Sequence, residues 1–188
     1  MAEQFDPQMI VTALTNCVQD AFEKKGNVTF SKEAENKERT IIEYNSRMRV
    51  FGLEKFGVPC YIAVVNFYLN QQAADGKDTC GTLVLYLEEE IVPNLARAFG
   101  QKGPDLEDPE ILLEACGEMA KAITGQFKEE LRAFGYKDLI ASAPQKFKTD
   151  IADGVEFPYS ERKYHEISFF IQKMKKIVAV ICLASPRA

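Results

Sequence analysis

The chain has 188 residues, of which 46% are hydrophobic, and its formal net charge is −5 with a sequence pI near 5.1. This length suits one hydrophobic core, so we expect a single domain over residues 1–188, and the acidic balance disfavours nucleic acid as a partner. The sequence shows neither a signal peptide nor an apolar run of 18 residues, so we expect a cytoplasmic protein that does not contact a membrane.

The first predicted helix begins at Asp6-Pro7 and ends at Gly26. The aspartate can cap the free N–H groups, and proline suits the first helical position because its missing donor costs nothing there. Apolar residues then recur at helical spacing. Residues 27–39 are polar, with only Val28 and Phe30 alternating, which predicts a short edge strand followed by an exposed connection.

Three strands are predicted between residues 40 and 87. Residues 40–51 alternate weakly, residues 61–69 are almost continuously apolar, and residues 82–87 are apolar again. Residues 71–78 predict a hairpin-like turn, and such short connections imply antiparallel pairing. A second helix is predicted over residues 89–99, followed by an acidic, Gly- and Pro-rich linker over residues 100–109.

The longest helical pattern covers residues 108–135 and again begins with Asp-Pro. Its apolar residues fall in one stripe that should face a core: Leu113, Cys116, Ala120, Ile123, Thr124, Phe127, Leu131 and Phe134. The other side combines charged residues with two glycines: Glu114, Gly117, Glu118, Lys121, Gly125, Lys128 and Arg132.

Gly117 and Gly125 flank Lys121 along one i, i+4 row of this helix. A glycine inside a helix costs about 1 kcal/mol relative to alanine, so both leave backbone bare at some cost in stability. Two interpretations are open. Either Glu118 and Lys121 form a solvated ion pair worth roughly 0.2–0.5 kcal/mol while the glycines pack against another element of the chain, or a partner approaches closely there.

Three strand-like runs follow, over residues 139–147, 164–172 and 177–183. The charged residues 173–176 predict a hairpin between the last two runs, and residues 150–162 read as a surface loop. The predicted fold class is therefore α/β of the α+β kind. It has an antiparallel sheet of about six strands with long amphipathic helices packed on it.

Cysteine and histidine usage gives no sign of a metal centre. The five cysteines are widely spaced, odd in number and mostly embedded in apolar patterns, without a zinc-like spacing, which predicts small buried hydrophobes in a reducing compartment. The single histidine, His165, excludes a histidine cluster. We therefore expect no metal ion bound by this chain.

Three parts of the sequence resemble the CheC/CheX/FliY chemotaxis phosphatases, and the CheX branch in particular. They are GTLVLYLEEEIVPNLARAFG at residues 81–100, EMAKAITGQ at residues 118–126 and the tripeptide Ser142-Ala143-Pro144, within an overall resemblance over about residues 7–184. The resemblance implies a CheC-like fold and a homodimer. It also implies binding of a phosphorylated CheY-type receiver domain and hydrolysis of its aspartyl phosphate. The Mg²⁺ ion would belong to the receiver, so this chain would need no cofactor.

The resemblance also suggests functional residues on the long helix. In that family the glutamate of a Glu-x-x-Asn motif grips the receiver's lysine, and the asparagine orients the attacking water. Here Glu118 stands in the glutamate position, whereas Lys121 replaces the asparagine, and these two are the candidate catalytic residues. We expect partner contacts around them at Glu114, Gly117, Gly125 and Gln126.

The replacement of asparagine by Lys121 leaves two functions open. A carboxamide accepts and donates hydrogen bonds, whereas an ammonium only donates, so Lys121 cannot accept a hydrogen bond from the nucleophilic water. The loss of one such positioned hydrogen-bonding group commonly raises the free energy of the transition state by about 2.7–4 kcal/mol. Lys121 could instead contact phosphoryl oxygens and retain binding with weak catalysis. Alternatively, the protein is an inactive receiver-binding or homodimeric scaffold related to the flagellar switch proteins.

A stand-alone enzyme that acts on a small metabolite is disfavoured. The sequence contains no phosphate-binding loop, dinucleotide fingerprint or nucleophile motif. The function classes that remain are therefore a receiver phosphatase, a receiver-binding protein and a scaffold.

Overall fold

The computed structural model describes residues 5–100 and 107–186, so residues 101–106 of the predicted linker lie outside the described residues. The helices of the described chain are α1 (Pro7–Lys24), α2 (Leu53–Phe56), α3 (Gln71–Asp75), α4 (Val92–Ala98) and α5 (Pro109–Arg132), with a 3-10 turn over Glu89–Ile91. The strands are β1 (Glu35–Thr40), β2 (Glu43–Tyr44), β3 (Arg47–Phe51), β4 (Cys60–Tyr68), β5 (Gly81–Glu88), β6 (Ile140–Ala141), β7 (Gln145–Lys148), β8 (Asp150–Val155), β9 (Lys163–Ile171) and β10 (Met174–Leu183).

Most strands belong to one antiparallel sheet. Within the described residues this main sheet has seven strands in the order β1-β9-β10-β5-β4-β6, and β7 also pairs with β4. A smaller sheet has the order β2-β3-β8. The predicted fold class, an antiparallel sheet with amphipathic helices packed on it, is confirmed, although the sequence pattern gave no sign of the small sheet.

The central strands of the main sheet are buried on both faces. On one face, α1, α4 and α5 cover side chains such as Val65 and Leu85. On the other, the small sheet contributes Val50, which packs in one cluster with Ile62 and Val84. Two-sided burial explains why β4 and β5 are almost continuously apolar rather than alternating.

Both long helices begin where the sequence predicted. The Asp6 carboxylate accepts a hydrogen bond from the N–H of Gln8 at 2.9 Å, and Asp108 accepts one from the N–H of Glu110 at 3.0 Å. The apolar stripe of α5 is buried apart from Leu113 and Phe134, which are half-buried. The predicted core face of α5 is therefore confirmed in most of its positions.

Two predictions in the first half of the chain are wrong, and one is confirmed. The edge strand is β1 rather than residues 27–30; its six residues are all exposed, and the strand is defined by its pairing with β9. The single strand predicted over residues 40–51 is instead the hairpin β2–β3 over residues 43–51, which turns at Asn45 and Ser46 with positive φ angles. The hairpin connection predicted over residues 71–78 is confirmed, because it joins the antiparallel strands β4 and β5, and it contains the short helix α3.

Two predictions in the second half are also wrong, and one is confirmed. Residues 150–155 were expected to be loop but form β8, which pairs with β3. The single strand predicted over residues 139–147 is divided into β6 and β7. The C-terminal hairpin is confirmed as β9–β10, with its turn at Gln172 and Lys173.

The five cysteines are free and buried, as predicted. Burial raises the pKa of Cys17, Cys60, Cys80 and Cys182 to about 12 and raises that of Cys116 as well. These thiols stay protonated near neutral pH and act as small apolar side chains. Separately, no helix in the described part of the chain is long and apolar enough to cross a membrane.

Glu166 on β9 is a buried carboxylate that ties three elements together. Its side chain is 3% exposed and accepts hydrogen bonds from the Lys55 ammonium on α2 and, at 2.8 Å, from Arg39 Nε on β1. Burial by itself raises the pKa of Glu166, but the two cations outweigh it and lower the pKa below its ordinary value.

We expect Glu166→Gln to lower the free energy of unfolding near neutral pH by about 3 kcal/mol, because it leaves the mostly buried Lys55 uncompensated. The lowered pKa of Glu166 means that the carboxylate stabilises the fold above its unfolded pKa, near 4.5, and that this contribution is lost as the pH falls below that value. Urea unfolding across this range should therefore show the two proteins converging in acid. A difference that stays constant with pH would contradict this account.

Candidate functional site

A groove of about 470 Å³ lies between α5 and the edge of the main sheet. One wall consists of seven α5 residues that recur at i, i+3, i+4 and i+7 spacing: Glu114, Gly117, Glu118, Lys121, Thr124, Gly125 and Lys128. The other wall consists of residues 141–144 and Lys146, and Val65 of β4 also lines the space. We call this space the α5 groove.

The α5 groove opens where the sheet edge is interrupted. β4 pairs first with β7 and, near its end, with β6. Between these pairings the Ser142 hydroxyl accepts a hydrogen bond from the Asn66 N–H at 3.0 Å, and the Ser142 N–H donates to the Asn66 carbonyl at 2.8 Å. Pro144 has no N–H with which to continue the ladder. This is why the predicted strand is divided and why residues 142–144 form a wall of the groove.

The two helical glycines lie in different surroundings. A Cβ added at Gly117 would lie 2.8 Å from Cδ of Lys146, so the Lys146 stem covers this buried glycine. A Cβ added at Gly125 would have nothing within 4 Å. The expectation of bare backbone is therefore wrong at Gly117, which packs against its own chain, and confirmed at Gly125. Their roles in partner binding stay predictions.

The charges of the groove are only partly paired. Glu118 and Lys121 are exposed, and neither has an ion-pair partner within 4.0 Å among residues 5–100 and 107–186, so the solvated pair between them is not formed. Lys128 likewise has no ion-pair partner within 4.0 Å among the described residues. The Lys146 ammonium donates to the Glu114 carboxylate. Three lysines and two glutamates give the groove one excess positive charge in a chain of net charge −5.

Thr124 lies between the two unpaired lysines and lines the groove. The residue is 5% exposed, and its buried hydroxyl has no hydrogen-bond partner within the described chain. The threonines of α1 differ, because Thr12 and Thr15 donate to the carbonyl four residues earlier at 3.0 and 2.7 Å. An unpaired buried hydroxyl costs about 1–3 kcal/mol, so a ligand that accepted its hydrogen bond would recover part of that cost.

The structure brings five of the six candidate residues into one groove: Glu114, Gly117, Glu118, Lys121 and Gly125. Gln126 is the exception. Its Nε2 donates to the Asp20 carboxylate on α1 at 3.2 Å, and it is not among the described residues that line the groove.

The groove also contains residues that were missed as site candidates from the sequence, among them Thr124, Lys128 and Lys146. Thr124 was assigned to the core, and Lys128 was noted only as part of the polar side of the helix. Lys146 carries no local signal, because only folding brings β7 against α5.

Solved structures share this fold at low sequence identity. A CheC-like superfamily protein from Shewanella sp. PV-4 is 14% identical with a TM-score of 0.61, over 95% of this chain and 98% of that one. A chain of the CheX–CheY–BeF₃–Mg²⁺ complex from Borrelia burgdorferi is 14% identical with a TM-score of 0.57, over 94% and 98%. FliY from Thermotoga maritima is 15% identical with a TM-score of 0.54, over 96% and 92%.

No protein-family model and no curated protein matches the sequence. The structural matches show that the chain has the CheC-like fold, as the resemblance implied. At these identities they establish the fold and leave the activity to be argued from the groove.

The two helical glycines should respond differently to alanine. Gly125→Ala should raise the free energy of unfolding by about 1 kcal/mol, a rise in Tm of about 2–4 °C, because the new Cβ enters open space. Gly117→Ala reduces the conformational entropy of the unfolded chain in the same way, but its Cβ must displace the Lys146 stem. Its gain in the free energy of unfolding should therefore be smaller, or should become a loss. Calorimetry of both variants tests this, and equal stabilisation would show that Lys146 does not rest on Gly117.

Proposed function

We propose that this CheC-like chain binds a phosphorylated CheY-type receiver domain through the α5 groove and hydrolyses its aspartyl phosphate slowly or not at all. The observation that carries the proposal is that Glu118 and Lys121, exposed and unpaired within the described chain, share one helix face with the bare backbone of Gly125. A CheX of the same fold occurs in a complex with CheY, BeF₃ and Mg²⁺. We further propose that the protein acts as a homodimer and that the receiver supplies the Mg²⁺.

Glu118 and Gly125 give the groove the means to dock a receiver. The carboxylate of Glu118 is exposed and free to pair with the lysine that the resemblance assigns to the receiver's active site. Gly125 lies two turns further along the helix and presents no side chain, so a partner's backbone can approach α5 there. Glu114 contributes less directly, because Lys146 already occupies its carboxylate.

Lys121 determines whether docking leads to hydrolysis. The reaction requires a water held in line with the P–O bond that breaks. An ammonium cannot accept a hydrogen bond from that water, and it attracts phosphoryl oxygens in the ground state as well as in the transition state. Interactions that are equally strong in both states do not raise the rate constant. The groove therefore favours binding over catalysis.

We expect Lys121→Asn to create phosphatase activity. A carboxamide at this position supplies the missing acceptor, and the loss of phosphate from a phosphorylated CheY-type receiver should accelerate about a hundredfold over the natural protein. Adding Glu118→Ala to this variant should abolish the acceleration by weakening docking. Lys137→Asn is the matched control, because it makes the same change at an exposed lysine outside the groove.

The other outcomes separate the alternatives. Acceleration by the natural protein that disappears in Glu118→Ala would make the lysine-bearing site a phosphatase in its own right. Failure of every protein to bind a receiver activated with BeF₃⁻ would contradict the proposal. A partner bound without regard to phosphorylation would then favour the scaffold related to the flagellar switch proteins.

A further inference from the structure

We infer that Lys121, Thr124 and Lys128 form an oxyanion site within the α5 groove, which holds the phosphoryl group of the docked receiver and slows its hydrolysis. The inference rests on the proposed function for the identity of its occupant. The site itself is argued from three features of the groove: spacing, charge and an unsatisfied hydroxyl.

The spacing lets the two lysines converge. Lys121 and Lys128 are seven residues apart on one helix face, about 10.5 Å along the axis. A lysine ammonium reaches roughly 6 Å from its Cα on a flexible stem, so both can meet over the turn that lies between them. That turn carries Thr124 and Gly125, and a Cβ at Gly125 would meet nothing within 4 Å. The surface above Gly125 therefore leaves room for a tetrahedral oxyanion within reach of both lysines.

The negative charges of the groove lie toward one end of it, and the unpaired positive charges lie toward the other. Its carboxylates lie at the end nearer the start of α5, where Glu114 is paired with Lys146 and Glu118 precedes Lys121 by one turn. From Lys121 to Lys128 the described lining residues include two unpaired cations and no carboxylate. This half of the groove is suited to a group with more than one negative oxygen.

The hydroxyl of Thr124 is an independent indication of a ligand. It is buried at the groove wall and unpartnered within the described residues, and it does not use the helix carbonyl that satisfies Thr12 and Thr15 in α1. A phosphoryl oxygen would accept its hydrogen bond, and charge-assisted bonds of this kind are about twice as strong as neutral ones.

An oxyanion held in this way is protected rather than activated. All three groups donate hydrogen bonds to oxygens that are already charged in the ground state, and the two ammonium groups cannot accept a hydrogen bond from an attacking water. Bound receiver should therefore lose phosphate more slowly than free receiver.

The test measures receiver binding and phosphate loss with the same proteins. Natural protein in excess should lengthen the half-life of the phosphorylated receiver several-fold. Thr124→Val and Lys128→Gln should each remove most of this effect and weaken binding to the BeF₃⁻-activated receiver about tenfold. Binding to the unmodified receiver should be unchanged. Thr12→Val and Lys137→Gln are the matched controls, because they make the same changes outside the groove.

Thermal stability separates a lost contact from a damaged fold. Thr124→Val removes an unpaired buried hydroxyl, so its Tm should rise even as its binding weakens. Weaker binding accompanied by a lower Tm would indicate a structural role and would overturn the site.

The remaining outcomes distinguish this inference from the proposed function. Receiver binding that is unaffected by both substitutions would overturn the oxyanion site and leave receiver docking intact. If the receiver lost phosphate faster with the natural protein than without it, the proposed protection of the phosphoryl group would be overturned. Saturable binding of inorganic phosphate to the protein alone, with no response to the activated receiver, would reassign the site to free phosphate. Failure to bind either form of the receiver would overturn the proposed function itself.

Discussion

The packing of α5 against β4 is the constraint on which the candidate site depends. Phe127 of α5 is fully buried and meets Phe67 of β4 edge-on, with ring centroids 6.0 Å apart. Ile123 is buried on the same face of the helix. Once these side chains are in the core, helix geometry fixes which residues lie on the flank, and Lys121 and Gly125 are among them. The core thus sets the rotation at which α5 presents its charges.

The second wall of the groove depends on a break in the sheet. A continuous strand along β4 would carry its backbone straight past α5. Ser142 and Pro144 instead interrupt the ladder, and β7 resumes the pairing with β4 in a register shifted by one residue. Lys146 then crosses to α5, where its stem covers Gly117 and its ammonium pairs with Glu114. One lysine therefore joins the broken sheet edge to the helix and closes one end of the groove.

The chemistry of the groove differs from what the family resemblance implies. The chain shares the CheC-like fold with a CheX found in complex with CheY, BeF₃ and Mg²⁺, yet a fold does not carry an activity with it. Here an ammonium stands where the resemblance places a carboxamide, and a second lysine and an unpaired hydroxyl lie beside it. The groove is positively charged on an acidic protein and offers donors more readily than acceptors, which suits recognition of an anion better than activation of water.

The sequence by itself determined the features that depend on neighbouring residues. The Asp-Pro starts, the buried stripe of α5 and the apolar runs of β4 and β5 are local patterns, because caps and periodicity act within a few residues. The resemblance added the CheC-like fold. Only the tertiary structure decided the features that join distant segments. β1 has no apolar pattern and exists through pairing with β9, and the cover over Gly117 comes from a lysine on another element. The unsatisfied hydroxyl of Thr124 is likewise invisible in sequence, because a hydrogen bond that is absent can be recognised only once every neighbour has been placed.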